Sequence, residues 1–139
     1  MAEDRIEYKC GYKYQLAAEH VADVGVIPRS DILTDYIDLT TDGRLTIKRG
    51  YAWDGPSGPT IDTSTFMRGS LVHDALYQLM RHGLIGKEEW REQADKEMRR
   101  ICREDGMCRM RAWWVYWAVR LFADKAASRE KRKKVKVAP

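Results

Sequence analysis

At 139 residues, with 44% hydrophobic and 33% charged side chains, the chain has an ordinary globular balance. That excludes a fibrous or wholly disordered protein and allows one domain with a core of its own. The formal charge of +4 is concentrated at one end, because residues 129–136 (REKRKKVK) carry six basic side chains and one acid. The expected organisation is a single α+β domain over residues 1–128 and a basic C-terminal tail over 129–139.

Three cysteines (Cys10, Cys102 and Cys108) are an odd number without zinc-ligand spacing, which argues against a disulfide framework and for reduced thiols in a reducing cytoplasm. The first residues are acidic and polar, unlike a signal peptide. The longest apolar run, residues 112–119, has eight residues, whereas a membrane span needs about 20. No transmembrane segment is expected, and any membrane contact would be peripheral.

In chain order, residues 12–16 (YKYQL) alternate apolar with polar and predict a half-buried strand. Residues 21–27 predict another, ended by Pro28. Residues 35–39 and 44–48 alternate on either side of Thr40-Thr41-Asp42-Gly43, a hairpin signal. Residues 50–60 (GYAWDGPSGPT) hold three glycines and two prolines, so a loop is expected there, joining one small antiparallel sheet to a helical half.

The first helix is predicted over about 64–81, with Val72, Ala75, Leu76, Leu79 and Met80 as its apolar stripe and Gly83 and Gly86 as its stop. The second is predicted over about 87–103, with Trp90, Ala94, Met98 and Ile101 inward and Gly106 at its end. The third should begin near Met107 and run into the basic tail. Short connections make the three antiparallel neighbours. Positions 110, 113, 114, 117, 118 and 121 are all apolar, which predicts that this face of the third helix, with its tryptophans, is core. The same crowding of Trp and Arg also fits a lipid-interface or protein-contact surface.

His73 and Asp74 fall in the middle of the first helix, with Tyr77 one turn after His73 on the same face. Asp95 falls midway along the second. In an antiparallel helix pair the middles face each other, so Asp95 can reach the His73 ring. A carboxylate on one imidazole nitrogen fixes the tautomer and strengthens the other nitrogen as a base. His73 is therefore a candidate general base acting on water. Asp74 points roughly 100° away around the helix and can face the preceding loop. That loop's carbonyls, with Asp74 and Asp54, suit a hard cation such as calcium. Each residue also has a structural reading: His73 as a hydrogen-bonded core residue, Asp74 paired with Arg68 or Arg81, and Asp95 paired with Arg91 or Arg99. Trp53 either caps a pocket or anchors the loop.

No P-loop, dinucleotide-binding glycine pattern or Gly-x-Ser-x-Gly elbow is present, so no organic cofactor is expected. Nothing beyond the tail points to nucleic acid. The sequence does not address the oligomeric state.

Trp53-Asp54-Gly55-Pro56-Ser57, residues 68–77 (RGSLVHDALY), Ala94-Asp95 and residues 117–122 (WAVRLF) closely resemble a family of uncharacterised phage and prophage proteins, domain-of-unknown-function family 1353. Many members have Asp-Gly-Ala-Ser where this chain has Asp54-Gly55-Pro56-Ser57. The resemblance implies a phage or prophage origin, synthesis in a host bacterial cytoplasm and a possible place in the virion, without an established activity.

His73-Asp74-x-x-Tyr77 also resembles the helix motif of calcium-dependent phospholipases A2, most of all the compact viral versions. Those place a glycine-rich calcium loop before the helix, and here Gly55 precedes His73 by 18 residues. They place an Ala-Asp pair on the antiparallel helix, and here Asp95 follows His73 by 22. The resemblance implies His73 as base, Asp95 as its orienting partner and Tyr77 as a brace. Asp74 and Asp54 with loop groups of Gly55 and Ser57 would hold calcium, and the substrate would be an ester of the phospholipid class. The loop departs from the exact glycine pattern, the chain is not disulfide-rich, and the N-terminal strands have no counterpart. The contrasting expectation is a non-enzymatic phage virion, tail or assembly protein, in which the same residues form a structural polar network and the partner is another phage protein.

Overall fold

The computed structural model of the protein describes residues 8–9, 14–53 and 64–122. The expectations for Cys10, residues 12–13, most of the Gly/Pro loop (54–63, including Asp54, Gly55 and Ser57) and the basic tail lie outside the described residues. Among the described residues seven short strands precede three helices: β1 Tyr8–Lys9, β2 Tyr14–Leu16, β3 His20–Asp23, β4 Ile32–Leu33, β5 Ile37–Leu39, β6 Arg44–Ile47, β7 Ala52–Trp53, α1 Ser64–Arg81, α2 Lys87–Glu104 and α3 Arg109–Phe122.

The α+β expectation holds, but the strands form two antiparallel sheets where one was expected. Their orders are β1-β2-β7 and β3-β6-β5-β4. The cause is a non-local pairing. β2 finds its partner in β7, with Tyr14 opposite Trp53 and Gln15 opposite Ala52, while the bend at residues 17–18 turns the chain away before β3. Ala52 and Trp53, expected in the loop, form a strand because β2 supplies the ladder.

The 35–48 hairpin is present. Leu39 pairs with Leu45 and Ile37 with Ile47, and all four side chains are buried. Gly43 donates to Thr40 O at 2.9 Å and has φ +82°, the left-handed residue that follows a tight hairpin turn. β3 stops at Asp23, earlier than the predicted Ile27, because its partner β6 begins at Arg44 and the pairing runs out there. Val24 and Val26 remain buried while Gly25 and Ile27 point outward. The alternation of that stretch therefore reports burial without a ladder.

α1 and α2 match their predicted bounds to within a residue. Each ends in the same two-bond cap closed by a left-handed glycine. At α1, Gly83 donates to Met80 O and Leu84 to Leu79 O; at α2, Gly106 donates to Arg103 O and Met107 to Cys102 O. Gly83 has φ 74° and Gly106 φ 102°. Glu88 and Glu89 in the first turn of α2 and Arg103 in its last complement the helix dipole.

The main core joins both sheets to α1 and α2 through Leu16, Leu45, Ile47, Leu71, Leu76 and Ala94 among others. A second cluster of Phe66, Met98, Cys102, Met107, Ala112 and Val115 lies beneath α3. Burying each large aliphatic side chain stabilises the fold by about 1.5–3 kcal/mol. The central helix is α1, whose residues 66–73 are buried without a break.

α3 departs from expectation. Met110, Trp113, Trp114, Trp117 and Leu121 are 78%, 58%, 44%, 46% and 69% exposed, whereas Ala112, Val115 and Tyr116 are buried. The helix carries two apolar faces, and the one with Ala112, Val115 and Tyr116 turns inward.

Candidate functional site

The site begins with a close approach of two helices. Gly69 of α1 lies so near α2 that a Cβ there would meet Cys102 Sγ at 2.6 Å and Met98 O at 3.2 Å. Arg68, next to Gly69, binds Asp105 (Nη2 to Oδ1 3.0 Å) and Glu104 (2.9 Å), tying the start of α1 to the end of α2. Moving one turn along α1 from Gly69 reaches His73 and another reaches Tyr77. Moving back along α2 from Cys102 through Met98 reaches Asp95. The antiparallel register thus sets Asp95 against both, at a separation that its short side chain can span.

Asp95 is fully buried and holds the network together. Its Oδ1 accepts from His73 Nε2 at 2.7 Å and from the Tyr77 hydroxyl at 2.6 Å. Its Oδ2 accepts from Arg120 Nη1 of α3 at 3.0 Å, with Arg91 Nη1 farther off at 4.0 Å. The His73 and Tyr77 rings lie 4.2 Å apart at 35°. Burial pushes the Asp95 carboxyl upward, but its bonds to His73, Tyr77 and Arg120 outweigh that, and the net shift is downward. Burial first, and then the Asp95 carboxylate, push the Tyr77 hydroxyl well above the usual phenol range, so it stays a neutral donor. With the carboxylate ionised, the acceptor role falls to Asp95, the proton on the bonded side of the ring belongs on His73 Nε2, and Nδ1 is the nitrogen available to take up a proton.

β7 ends at this face. Trp53 is buried against Tyr14 and Tyr51 (ring centroids 5.6 and 6.5 Å). Its Nε1 donates to Ser70 Oγ at 3.2 Å, and the Ser70 hydroxyl donates to Met67 O at 2.9 Å. The Trp53 side chain is thereby tied to α1, about one turn before His73.

Of the sequence-predicted site residues, His73, Tyr77 and Asp95 come together. Asp74 lies outside this network, half-buried on a neighbouring face of α1. Arg68, offered as its partner, is engaged by Asp105 and Glu104. Arg99, offered as a partner for Asp95, instead stacks over Tyr116 at 4.2 Å. Among the described residues no three His, Cys, Asp or Glu side chains are placed to hold a metal ion. Sequence reasoning missed Arg120 as the second clamp on Asp95. Its signal is a single cation, between Val119 and Leu121, within an otherwise apolar stretch.

The family model described as "Protein of unknown function (DUF1353)" matches residues 31–119. The chain belongs to this family. The DUF1353 match spans β4 to β7 and most of the helical half and contains His73, Tyr77 and Asp95, while Arg120 lies just beyond it. Searches of curated proteins and of solved structures gave no match.

Proposed function

We propose that this protein is a hydrolase in which His73 acts as general base on water and Asp95 orients it. The observation that carries the reading is the 2.7 Å bond from His73 Nε2 to a carboxylate that Tyr77 and Arg120 also hold. An imidazole fixed at one nitrogen by a clamped acid presents the other in a set direction, which general-base catalysis requires. His73 Nδ1 would take a proton from water as the oxygen attacks an ester carbonyl, and would return it to the departing alkoxide. The likeness to phospholipases A2 supports an ester of the phospholipid class as substrate. A hard cation such as calcium belongs to the same proposal. Asp74, with Asp54 and oxygens of Gly55 and Ser57, would hold it, and its chemistry when bound is to polarise the carbonyl.

The test is a screen of aryl esters and phospholipids, with calcium or with chelator, comparing wild type with His73→Ala and His73→Gln. Loss of a base of this kind lowers turnover by about 10²–10⁴-fold. Turnover unchanged in His73→Ala ends the proposal. One observation favours a second reading: Asp95 is 0% and His73 only 7% exposed, as in a structural network of a non-enzymatic phage protein. In that case the wild type turns over nothing in the screen, and both His73 variants lose stability alone.

A further inference from the structure

We propose that the outer face of α3 and the cleft beside it form a docking surface for anionic phospholipid bilayers. The first observation is the exposed stripe. Met110, Trp113, Trp114, Trp117 and Leu121, spaced i, i+3, i+4, i+7 and i+11, fall within an arc of roughly 100° and extend about 16 Å along the helix. Their burial is not supplied by the fold, because Ala112, Val115 and Tyr116 on the opposite side already make the core contact. By the same geometry Arg109 and Arg120 border one edge of the stripe and Arg111 the other.

The second observation is independent of the first. Between α2 and α3 lies a cleft of about 360 Å³ lined by Lys96, Arg99, Arg100, Arg103 and Arg109, with Ala112 and Trp113. Lys96 pairs with Glu92 and Arg100 with Glu97 and Glu104, so Arg99, Arg103 and Arg109 carry its positive charge. Trp113 belongs to both features, so the cationic cleft opens directly beside the aromatic stripe. Charge complementarity selects the occupant. A second copy of the chain, paired face to face, would set these cations against their own duplicates, and residues 129–136 add six more basic side chains. An anionic bilayer offers phosphates to the cleft and an interfacial zone to the tryptophans, where indole rings partition favourably. Among the described residues no helix is long and apolar enough to cross a membrane, so the association is peripheral. It is independent of any catalytic role for His73.

The experiment is vesicle co-sedimentation of the full chain with phosphatidylglycerol-rich and pure phosphatidylcholine vesicles, read together with tryptophan emission. The wild type should bind the anionic vesicles at least about tenfold more tightly, with a blue shift of its emission. Trp113→Ser/Trp117→Ser changes only exposed positions, and circular dichroism checks that it stays folded; it should weaken binding about tenfold or more. Lys96→Gln/Arg109→Gln should weaken it several-fold. Equal binding to both vesicle types overturns the proposal. So does full binding by both double variants together with its loss in Lys131→Gln/Lys133→Gln/Lys134→Gln, which would place all the affinity in the tail. A tryptophan-dependent dimer in sedimentation, or tight capture of a soluble acidic peptide without vesicle binding, overturns it as well.

Discussion

Replacing Asp95 with Asn should cost more stability than any other single isosteric change in α2. The side chain is fully buried and accepts from His73, Tyr77 and Arg120. An amide keeps one acceptor and turns the other into a donor. If its NH₂ replaces Oδ2 it faces the Arg120 guanidinium; if it replaces Oδ1 it faces the Tyr77 hydroxyl and the His73 ring. The first orientation sets donor against donor, the second requires the Tyr77 hydroxyl and the His73 ring to turn acceptor, and both remove the charge that compensates Arg120. Breaking one side of a buried ion pair costs about 3–5 kcal/mol. The Arg120 side chain is 22% exposed, so water recovers part of its solvation and the lower end, about 3 kcal/mol, applies. For a chain of this size that lowers Tm by about 10 °C. Urea and thermal unfolding measure it, with Glu92→Gln as the control, since the Glu92–Lys96 pair on the same helix is 60% and 46% exposed and should change stability by under about 1 kcal/mol. A loss in Asp95→Asn no larger than in the control would refute the buried clamp. The pH dependence has a definite sign. The folded carboxyl titrates below its ordinary 3.8, so the unfolded chain binds more protons in the window between the two values. The stabilisation is then fully present above about pH 4 and is lost as pH falls through the folded value, and the gap between wild type and Asp95→Asn should close there.

Gly69→Ala should destabilise by about 1–3 kcal/mol despite better helix propensity, because its methyl meets Cys102 Sγ at 2.6 Å. Adding Cys102→Ala should recover much of that loss, and a double-mutant cycle that shows no coupling would count against the close approach. Gly43→Ala should cost about 1–3 kcal/mol in urea unfolding, since φ is +82° and a Cβ would sit 2.5 Å from Val24 O. Burial, aided by Asp105, pushes the Cys102 thiol up to about 12. Iodoacetamide at pH 8 should therefore label exposed Cys108 well before Cys102, and mass mapping that finds equal labelling would contradict this packing.

Local chemistry made the helical half legible in advance. Glycines at 83 and 106, the stripe on α1 and the inward set on α2 each express a 3.6-residue period or a left-handed stop, and both operate within a few residues. The spacing of His73, Tyr77 and Asp95 carried further, because two antiparallel helices joined by a short turn convert separation in sequence into facing positions. The lone arginine at 120 needed the third helix in place before its role as the second clamp on Asp95 was visible.

The three helices and the central hairpin could be read from residue order alone, since each follows from short-range periodicity and capping, and the spacing of His73 and Asp95 made their meeting one of several readings. The pairing of β2 with β7 in a second sheet became visible in the folded chain alone, because strands of two or three residues carry too little pattern to name a distant partner. The tertiary structure also decided which of α3's two apolar faces turns inward. Hydrophobicity drives burial without direction, and the face that packs against Phe66, Met98 and Cys102 is that of Ala112 and Val115, with the tryptophans outside.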